Sequence, residues 1–285
     1  MEIIIGKTAG FCFGVSNAVN KTTSLLAEQS EQMYCLGELV HNKQVTEELQ
    51  KKGLKIINDI EEAKENVIIR SHGVTNEVYE KAENMRLKII DLTCPKVLKI
   101  HNIAKEYASK GYYIFLIGNK LHPETIGTIS YCGKDSKIIE KEEDIELALQ
   151  EFNNTNIDKL LVIAQTTFSI EKFNKITKII EEQTKEKNVE IKKTICDATN
   201  QRQLETEKIS KEVDLMIIIG GKHSSNTTKL YEISKKHCLK SILVETEQDL
   251  EVQGLEKNIK IGIMAGASTP KKSIESVVEK IKQIC

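Results

Sequence analysis

The residues Ala9-Gly10-Phe11-Cys12-Phe13-Gly14-Val15 follow a short apolar run at 3–5 and precede apolar positions at helical spacing. This pattern predicts a sharp strand-to-helix turn, because the glycines allow the backbone to bend closely. Cys12 then lies near a helix N-terminus, which favours the thiolate that binds metal or attacks an electrophile. Phe11 and Phe13 are expected to keep water away from the sulfur. A lone cysteine in this setting is more often a small buried hydrophobe.

The same local arrangement recurs at two further cysteines. Leu92-Thr93-Cys94-Pro95 and Thr194-Ile195-Cys196-Asp197 each follow a strand-like run and precede a helical pattern. Pro95 suits a first helical position, where its missing N–H costs nothing. Three cysteines in one context favour a shared chemical task over three unrelated core positions.

Charge and cysteine content exclude several classes of protein. The 285 residues carry 41 lysines and arginines against 42 acidic residues, a balance that argues against broad nucleic-acid binding. The chain has no signal-peptide pattern and no apolar run long enough for a bilayer, so we expect a cytoplasmic protein without a membrane partner. Its seven cysteines are then metal ligands or inert thiols rather than disulfides. No Cys-x-x-Cys pair occurs, which excludes a compact zinc ribbon.

Alternation of strand-like and helical patterns predicts an α/β fold with parallel sheets. Several strand-like runs are apolar throughout, which indicates strands covered on both faces. The twelve predicted strands are 3–5, 33–36, 55–57, 67–70, 88–91, 113–117, 137–139, 160–164, 190–194, 215–219, 241–244 and 260–264.

A spacing repeat links the three cysteines to strand-ending glycines. The separation is 25 residues from Cys12 to Gly37, 24 from Cys94 to Gly118 and 24 from Cys196 to Gly220. Four residues after each glycine stands a polar residue, in order His41, His122 and Ser224. A chance register among polar loop residues is the alternative, but it requires three near-equal spacings to coincide.

A second polar position follows a later strand in each repeat. Cys94 to Thr166 and Cys196 to Ser268 are both 72 residues, whereas Cys12 to His72 is 60. The chain therefore divides into three similar domains of four strands each, predicted at 14–94, 95–194 and 195–285. The third domain needs one more strand, so we expect the N-terminal segment 1–13 to complete it.

A rough threefold relation of these domains would bring Cys12, Cys94 and Cys196 to one point. Three thiolates can hold zinc with an open position. They can also hold three irons of a 4Fe–4S cluster and leave the fourth iron free for a substrate. The bulk of a cluster suits ligands from three separate domains, which favours it over zinc while leaving both open.

Hydrogen-bond donors surround the same strand ends and helix starts, where phosphate or diphosphate groups bind. Gly220-Gly221-Lys222-His223 is not a phosphate-binding nucleotide loop. It lacks the earlier glycine of that motif, and histidine replaces the Ser or Thr after the lysine. The candidate diphosphate ligands are His41, His72, His122, Ser224, Ser225, Asn226 and Ser268.

Glu124 is the carboxylate beside this polar group. A glutamate after proline is usually a helix-start residue, but in a dry pocket it can carry a proton, relayed by Thr166 or Thr167. The remaining histidines and thiols have no matching positions. His101 and His237 are interpreted as structural, His223 is left open, and Cys35, Cys132, Cys238 and Cys285 are interpreted as structural or incidental.

These residues resemble the 4-hydroxy-3-methylbut-2-enyl diphosphate reductases over nearly the whole chain. Together the motifs are highly specific. They are Gly10-Phe11-Cys12-Phe13-Gly14-Val15, Val40-His41-Asn42, Ser71-His72-Gly73-Val74, Thr93-Cys94-Pro95, His122-Pro123-Glu124, Gln165-Thr166-Thr167, Cys196-Asp197-Ala198-Thr199-Asn200-Gln201-Arg202, Ser224-Ser225-Asn226 and Ala265-Gly266-Ala267-Ser268.

The resemblance implies a trefoil of three α/β domains around a 4Fe–4S cluster held by Cys12, Cys94 and Cys196, with one iron open. The substrate's hydroxyl would bind that iron, and its diphosphate the seven polar residues above. Glu124, Thr166 and His122 would form the catalytic group, with Glu124 delivering a proton to the leaving hydroxyl. Two electrons from ferredoxin or flavodoxin would then give isopentenyl and dimethylallyl diphosphate, the last step of the non-mevalonate isoprenoid pathway.

Two other classes fit part of the pattern. A zinc-dependent hydrolase or lyase acting on a phosphorylated substrate would use the same three cysteines. A non-catalytic iron–sulfur sensor would also use them, but it leaves Glu124 and the diphosphate ligands without a task.

Overall fold

The computed structural model describes residues 1–28, 31–250 and 258–284. Cys285 lies outside these residues. The chain forms two compact units. Unit 1 consists of Met1–Asn20, Val40–Lys52 and Asp197–Cys285, and unit 2 of Lys21–Leu39 and Gly53–Cys196.

Strands and helices alternate along the described chain. The strands are β1 (Glu2–Ile5), β2 (Met33–Leu36), β3 (Leu54–Ile57), β4 (Asn66–Ile69), β5 (Lys88–Asp91), β6 (Tyr113–Ile117), β7 (Ser136–Ile139), β8 (Lys159–Ala164), β9 (Asn188–Ile191), β10 (Leu215–Ile219), β11 (Ser241–Val244) and β12 (Lys260–Ala265). The helices are α1 (Phe13–Glu28), α2 (Lys43–Lys51), α3 (Asn76–Asn84), α4 (Pro95–Ser109), α5 (Pro123–Ile129), α6 (Asp144–Asn153), α7 (Ile170–Gln183), α8 (Asp197–Ser210), α9 (Ser225–His237) and α10 (Lys271–Ile284).

Unit 1 is built on one parallel sheet in the order β1-β12-β10-β11. Pairing of Ile3 with Ile261 joins the first strand of the chain to the last sheet, as the repeat predicted. Side chains of β10 alternate between two buried clusters, with Ile217 on one face and Ile218 on the other. Both faces are therefore covered, which explains why these strands are apolar at every position.

Unit 2 contains two parallel four-stranded sheets, in the orders β3-β2-β4-β5 and β7-β6-β8-β9. Phe115 and Val162 pack with Phe152 and Phe173 on one face of the second sheet. Ile114, Leu116 and Ile163 pack on the other face with Ile100 and Ala104 of α4. The fold class is therefore α/β with three four-stranded parallel sheets, as predicted, while the domain boundaries near 94 and 194 stay predictions.

All twelve predicted strands are present, and the largest boundary error is at β9. The prediction extended this strand to 194, but it ends at Ile191. The Thr194 hydroxyl accepts a hydrogen bond from Ala164 N–H at 2.7 Å and donates one to the Ala164 carbonyl at 2.5 Å. The Thr194 side chain thus bonds the backbone N–H and carbonyl of the last residue of β8, where a longer β9 would otherwise pair. The chain then turns toward Cys196.

Helices of the described residues are too short or too polar to cross a membrane.

The strand-ending glycines of the repeat lie where another side chain closely approaches. A Cβ on Gly118 would lie 2.8 Å from Thr125 Oγ1, and one on Gly220 would lie 2.7 Å from both Thr227 Oγ1 and Thr269 Oγ1. Gly220 also has φ of +145°. The loops after β6 and β10 therefore pack too tightly for any side chain at these positions.

Replacing Gly220 by alanine is expected to destabilise the protein more than the same change at Gly111. Both glycines have positive φ, but a Cβ on Gly111 has no neighbour among the described residues within 4 Å. We expect Gly111→Ala to cost about 1 kcal/mol for its backbone conformation and Gly220→Ala about 2 kcal/mol more for overpacking. Urea denaturation of the two variants measures the difference, and equal losses would contradict the packing argument.

Candidate active site

Each of the three repeated cysteines lies immediately before a helix. Cys12 precedes α1, Cys94 is the residue before Pro95 at the start of α4, and Cys196 precedes α8. All three side chains are partly exposed. The prediction of cysteines at strand-to-helix turns is therefore confirmed.

The backbone N–H of each cysteine donates to a carbonyl at the same place in its sheet. Cys12 bonds Ala267 at 3.1 Å within unit 1, while Cys94 bonds Ser71 and Cys196 bonds Thr166, both at 3.0 Å, within unit 2. In every case the accepting residue is the second one after a strand, namely β12, β4 or β8. The spacing repeat thus reflects one hydrogen bond made three times.

In unit 2, three of the predicted site residues are directly linked. His122 is the N-cap of α5, and its Nδ1 accepts from the backbone N–H of Glu124 at 3.1 Å. Glu124 Oε1 accepts a hydrogen bond from the Thr166 N–H, and Glu124 Oε2 is hydrogen-bonded to the Thr166 hydroxyl, both at 2.6 Å. Because His122 Nδ1 is the acceptor, neutral His122 carries its proton on Nε2 and presents a donor there.

Burial raises the pKa of Glu124 to about 7, although its two hydrogen bonds with Thr166 act in the opposite direction. The side chain is only 1% exposed. A carboxyl with such a pKa exists in both protonation states near neutral pH, as a general acid requires.

Thr166 connects this carboxyl to one of the three cysteines. Its N–H and hydroxyl contact Glu124, and its carbonyl accepts from the Cys196 N–H. The His72 and His122 rings lie edge to face with their centroids 5.5 Å apart. His72 directly follows Ser71, whose carbonyl holds Cys94. Unit 2 thus brings together His72, His122, Glu124, Thr166 and Cys196, and ties Cys94 to the residue beside His72.

Unit 1 contains the other six predicted site residues. The Ser268 hydroxyl donates to the His41 carbonyl at 2.9 Å, which places these two residues side by side. Ser224 caps α9 by accepting from Thr227 N–H at 3.4 Å, so Ser225 and Asn226 form the first turn of that helix. The His223 ring lies 6.1 Å from that of His41. His41, Ser224 and Ser268 lie on loops after β2, β10 and β12, and Ser225 and Asn226 begin α9, so the donors are at strand ends and helix starts, as predicted.

Asn226 carries an unsatisfied amide. Its side chain is 4% exposed, and neither Nδ2 nor Oδ1 has a hydrogen-bond partner within residues 1–28, 31–250 and 258–284. A buried amide without partners is costly, since few native polar groups remain unpaired. At the N-terminus of a 13-residue helix it is suited to an anionic ligand.

The predicted shielding role of Phe13 is wrong. Phe13 is 78% exposed, because α1 turns its buried face, with Val15 and Ala18, away from this position. A residue two positions before Val15 lies on nearly the opposite side of a helix. Only Phe11 of the two phenylalanines is partly buried.

Other cysteines and histidines have structural surroundings, as the sequence indicated. Burial raises the pKa of both Cys35 and Cys132 to about 12, which keeps these thiols protonated and unreactive. His101 is buried and stacks on Tyr131 at 4.4 Å, and burial lowers its pKa to about 4. His237 lies at the end of α9, with Nε2 3.8 Å from Glu207.

Sequence reasoning missed the polar residues that hold these loops. Gln165 Oε1 accepts from Asn119 N–H at 3.0 Å, and its Nε2 donates to Thr167 Oγ1 at 2.9 Å. Arg202 and Glu205 of α8 bond the loop before Cys12. Arg202 ends one of the family motifs, but its partner is 192 residues away, so no local pattern indicates its contact.

An α/β protein with repeated thiols at helix starts and a buried, titrating carboxyl has the features of an enzyme. The family model described as LytB protein matches residues 3–282. The chain is 41% identical to the 4-hydroxy-3-methylbut-2-enyl diphosphate reductase of Clostridioides difficile and 39% identical to that of Alkaliphilus oremlandii, each over the full length of both chains.

Two solved structures are similar as well. The reductase structure from Plasmodium falciparum has a TM-score of 0.90 at 31% identity, covering 98% of this chain and 87% of that one. A second reductase structure, described as the terminal enzyme of the non-mevalonate pathway, has a TM-score of 0.72 at 39% identity and covers both chains completely. The chain belongs to the LytB family of reductases.

Glu124 is expected to make stability depend on pH. Its native pKa of about 7 lies above the unfolded value, so the native state binds more protons between these values. The free energy of unfolding then falls as pH rises, by up to about 3 kcal/mol between pH 4.5 and 8. In Glu124→Gln this contribution disappears. Denaturation midpoints of both proteins at several pH values measure it, and parallel curves would contradict the raised pKa.

Proposed function

We propose that this chain reduces 4-hydroxy-3-methylbut-2-enyl diphosphate to isopentenyl and dimethylallyl diphosphate. The observation that carries this proposal is the linked arrangement in unit 2, where Glu124 contacts Thr166 and Thr166 accepts from Cys196. A proton donor is thereby joined through one residue to a candidate metal ligand. Family membership supplies the identity of the substrate.

The cofactor we propose is a 4Fe–4S cluster bound by Cys12, Cys94 and Cys196. These residues fit it by their chemistry: their thiols are partly exposed at helix starts, whereas Cys35 and Cys132 are buried and held protonated. Three sulfur ligands leave one iron of such a cluster open. We also propose that Cys12 binds the same cluster as Cys94 and Cys196.

When bound, the cluster would pass the electrons of the donor protein to the allylic C–O bond and would offer a Lewis-acidic iron to the hydroxyl. The overall change consumes two electrons and two protons. The hydroxyl leaves as water, and a hydrogen replaces it on the allylic skeleton. The residues of the chain must therefore deliver a proton to the departing oxygen and hold the diphosphate.

Glu124 is the proton donor in this proposal. Because its pKa is raised to about 7, the carboxyl is protonated in a large fraction of molecules at neutral pH. The Thr166 hydroxyl, 2.6 Å from Glu124 Oε2, orients the carboxyl and can relay the proton. Burial of Glu124 excludes water that would compete for this proton.

The diphosphate is held by His41, His72, His122, Ser224, Ser225, Asn226 and Ser268. His122 contributes its Nε2–H, because Nδ1 is engaged by the helix cap. The orphaned amide of Asn226 and the N-terminus of α9 provide further donors. We further propose reduced ferredoxin or flavodoxin as the electron donor and the cytoplasm as the location, with no nucleic-acid or membrane partner.

Anaerobically purified protein is expected to be brown and to contain about four irons per chain. Cys94→Ser should lose most of this iron together with activity, because a serine oxygen is a poorer iron ligand than a thiolate. Cys35→Ser, at a buried thiol outside the site, is the matched control and should keep its iron. Iron analysis and the visible spectrum decide, and a colourless protein with one zinc would instead support a zinc-dependent hydrolase or lyase.

Glu124→Gln is expected to keep the cluster and lose at least about 100-fold in turnover, the scale of general acid catalysis. Glutamine preserves the shape of the side chain and can still accept from Thr166 N–H. Turnover with reduced methyl viologen as electron source, measured beside the iron content, separates chemistry from assembly. Full turnover in this variant would remove the proton-donor role, and loss of iron would reassign Glu124 to cluster binding.

A further inference from the structure

The loop that leads to Cys12 is held by two side chains of α8 within unit 1. Glu205 Oε1 accepts from the N–H of Lys7 at 2.8 Å. Glu205 Oε2 accepts from the N–H of Thr8 at 2.8 Å and from its hydroxyl at 2.5 Å. Arg202 Nη2 donates to the Gly10 carbonyl at 2.7 Å. The α8 helix therefore bonds three of the residues between β1 and α1.

The Arg202 side chain is buried, which is unfavourable for a charged group. Its side chain is 4% exposed, and Nη1 donates to the Ala198 carbonyl at 3.1 Å. Burying a guanidinium is unfavourable unless its donors are well used. Arg202 and Glu205 are three residues apart, so they lie on the same face of α8 and approach the loop together. A buried arginine bonded to a backbone carbonyl is suited to holding that backbone in one position.

The loop is also fixed on its other side by the end of β12. Gly10 N–H contacts the Ala265 carbonyl at 3.5 Å, and Cys12 N–H bonds the Ala267 carbonyl at 3.1 Å. Gly10 has φ of +99°, and a Cβ there would lie 3.2 Å from Ile274 Cδ1. Cys12 is therefore two residues from the Arg202 contact, and its own N–H is bonded to this strand end.

We infer that Arg202 and Glu205 are positioning residues that hold Cys12 in place before any metal binds. The helix that begins directly after Cys196 thereby also determines the conformation of the loop carrying Cys12. Both act through their hydrogen bonds to residues 7–10. The relevance to a cluster rests on the proposed function, whereas the ordering of the loop is a property of the chain alone.

Hydrogen exchange of the metal-free full-length chain tests the ordering. In Arg202→Gln we expect exchange of residues 6–12 to rise about tenfold, because a charge-assisted hydrogen bond to Gly10 is lost. Exchange in β10, in the core of the same unit, should stay at the wild-type rate. Arg202→Lys keeps a donor and should lie between the two. Lys208→Ala, an exposed change on the same helix, is the matched control.

Iron release tests the consequence for the cofactor. After anaerobic reconstitution, EDTA should remove iron from Arg202→Gln and Glu205→Gln about tenfold faster than from wild type, with Arg202→Lys again intermediate. Rescue by lysine distinguishes positioning from a general loss of packing, because lysine restores the hydrogen bond but not the shape of arginine.

The hydrogen-exchange and iron-release measurements test the role of Arg202 and Glu205 separately from the proposed function. Wild-type rates of loop exchange and iron release in both variants would overturn it, as would an equal rise of exchange in β10. If Arg202→Gln does not fold, Glu205→Gln decides by the same two measurements. A wild-type protein that binds no iron would defeat the proposed function, while exchange in the metal-free chain would still test the role of Arg202.

Discussion

A single backbone hydrogen bond, made three times, organises the candidate site. The N–H of each cysteine that precedes a helix bonds the carbonyl two residues after a strand, at 3.0 to 3.1 Å. Because donor and acceptor are both main-chain groups, the side chains of Ala267, Ser71 and Thr166 are free to differ. The next residues along, Ser268, His72 and Thr167, are consequently held beside a cysteine in each case. A polar side chain thus follows each of the three carbonyls that accept from a cysteine N–H.

The electrostatics of the site depend on how completely each acid is buried. Glu124 is almost fully buried, yet its contacts with Thr166 limit the rise of its pKa to about 7. Cys35 and Cys132, whose burial is opposed by little or nothing, are raised to about 12. Desolvation thus raises the pKa of Glu124 from 4.5 to about 7 and that of the two thiols from 9.0 to about 12. The carboxyl titrates near neutrality and the thiols stay protonated chiefly because a carboxyl has a lower ordinary pKa than a thiol.

Long-range contacts assemble unit 1 from three separate parts of the chain. β1 pairs with β12, and Arg202 reaches Gly10 across 192 residues. Contacts at such separations require closure of long loops before they become favourable. Once formed, they hold residues 7–10, which lead to Cys12, against α8 and the end of β12. Burial of the Arg202 guanidinium is unfavourable, but its hydrogen bond to Gly10 helps to hold a short, glycine-containing loop in one conformation.

Local patterns in the sequence determined the strands, the helix starts and the cysteine turns, because hydrophobic period, proline and glycine act within a few residues. The apolar runs of β6 and β10 predicted strands buried on both faces, and Pro95 predicted the start of α4. Only the tertiary structure decided that β9 ends early at the Thr194 side chain, that Phe13 is exposed, and that Arg202 and Glu205 hold residues 7–10. It alone decided the pKa of Glu124 as well. Burial and hydrogen bonding between residues far apart in sequence are collective properties of the packed chain, and no short segment encodes them.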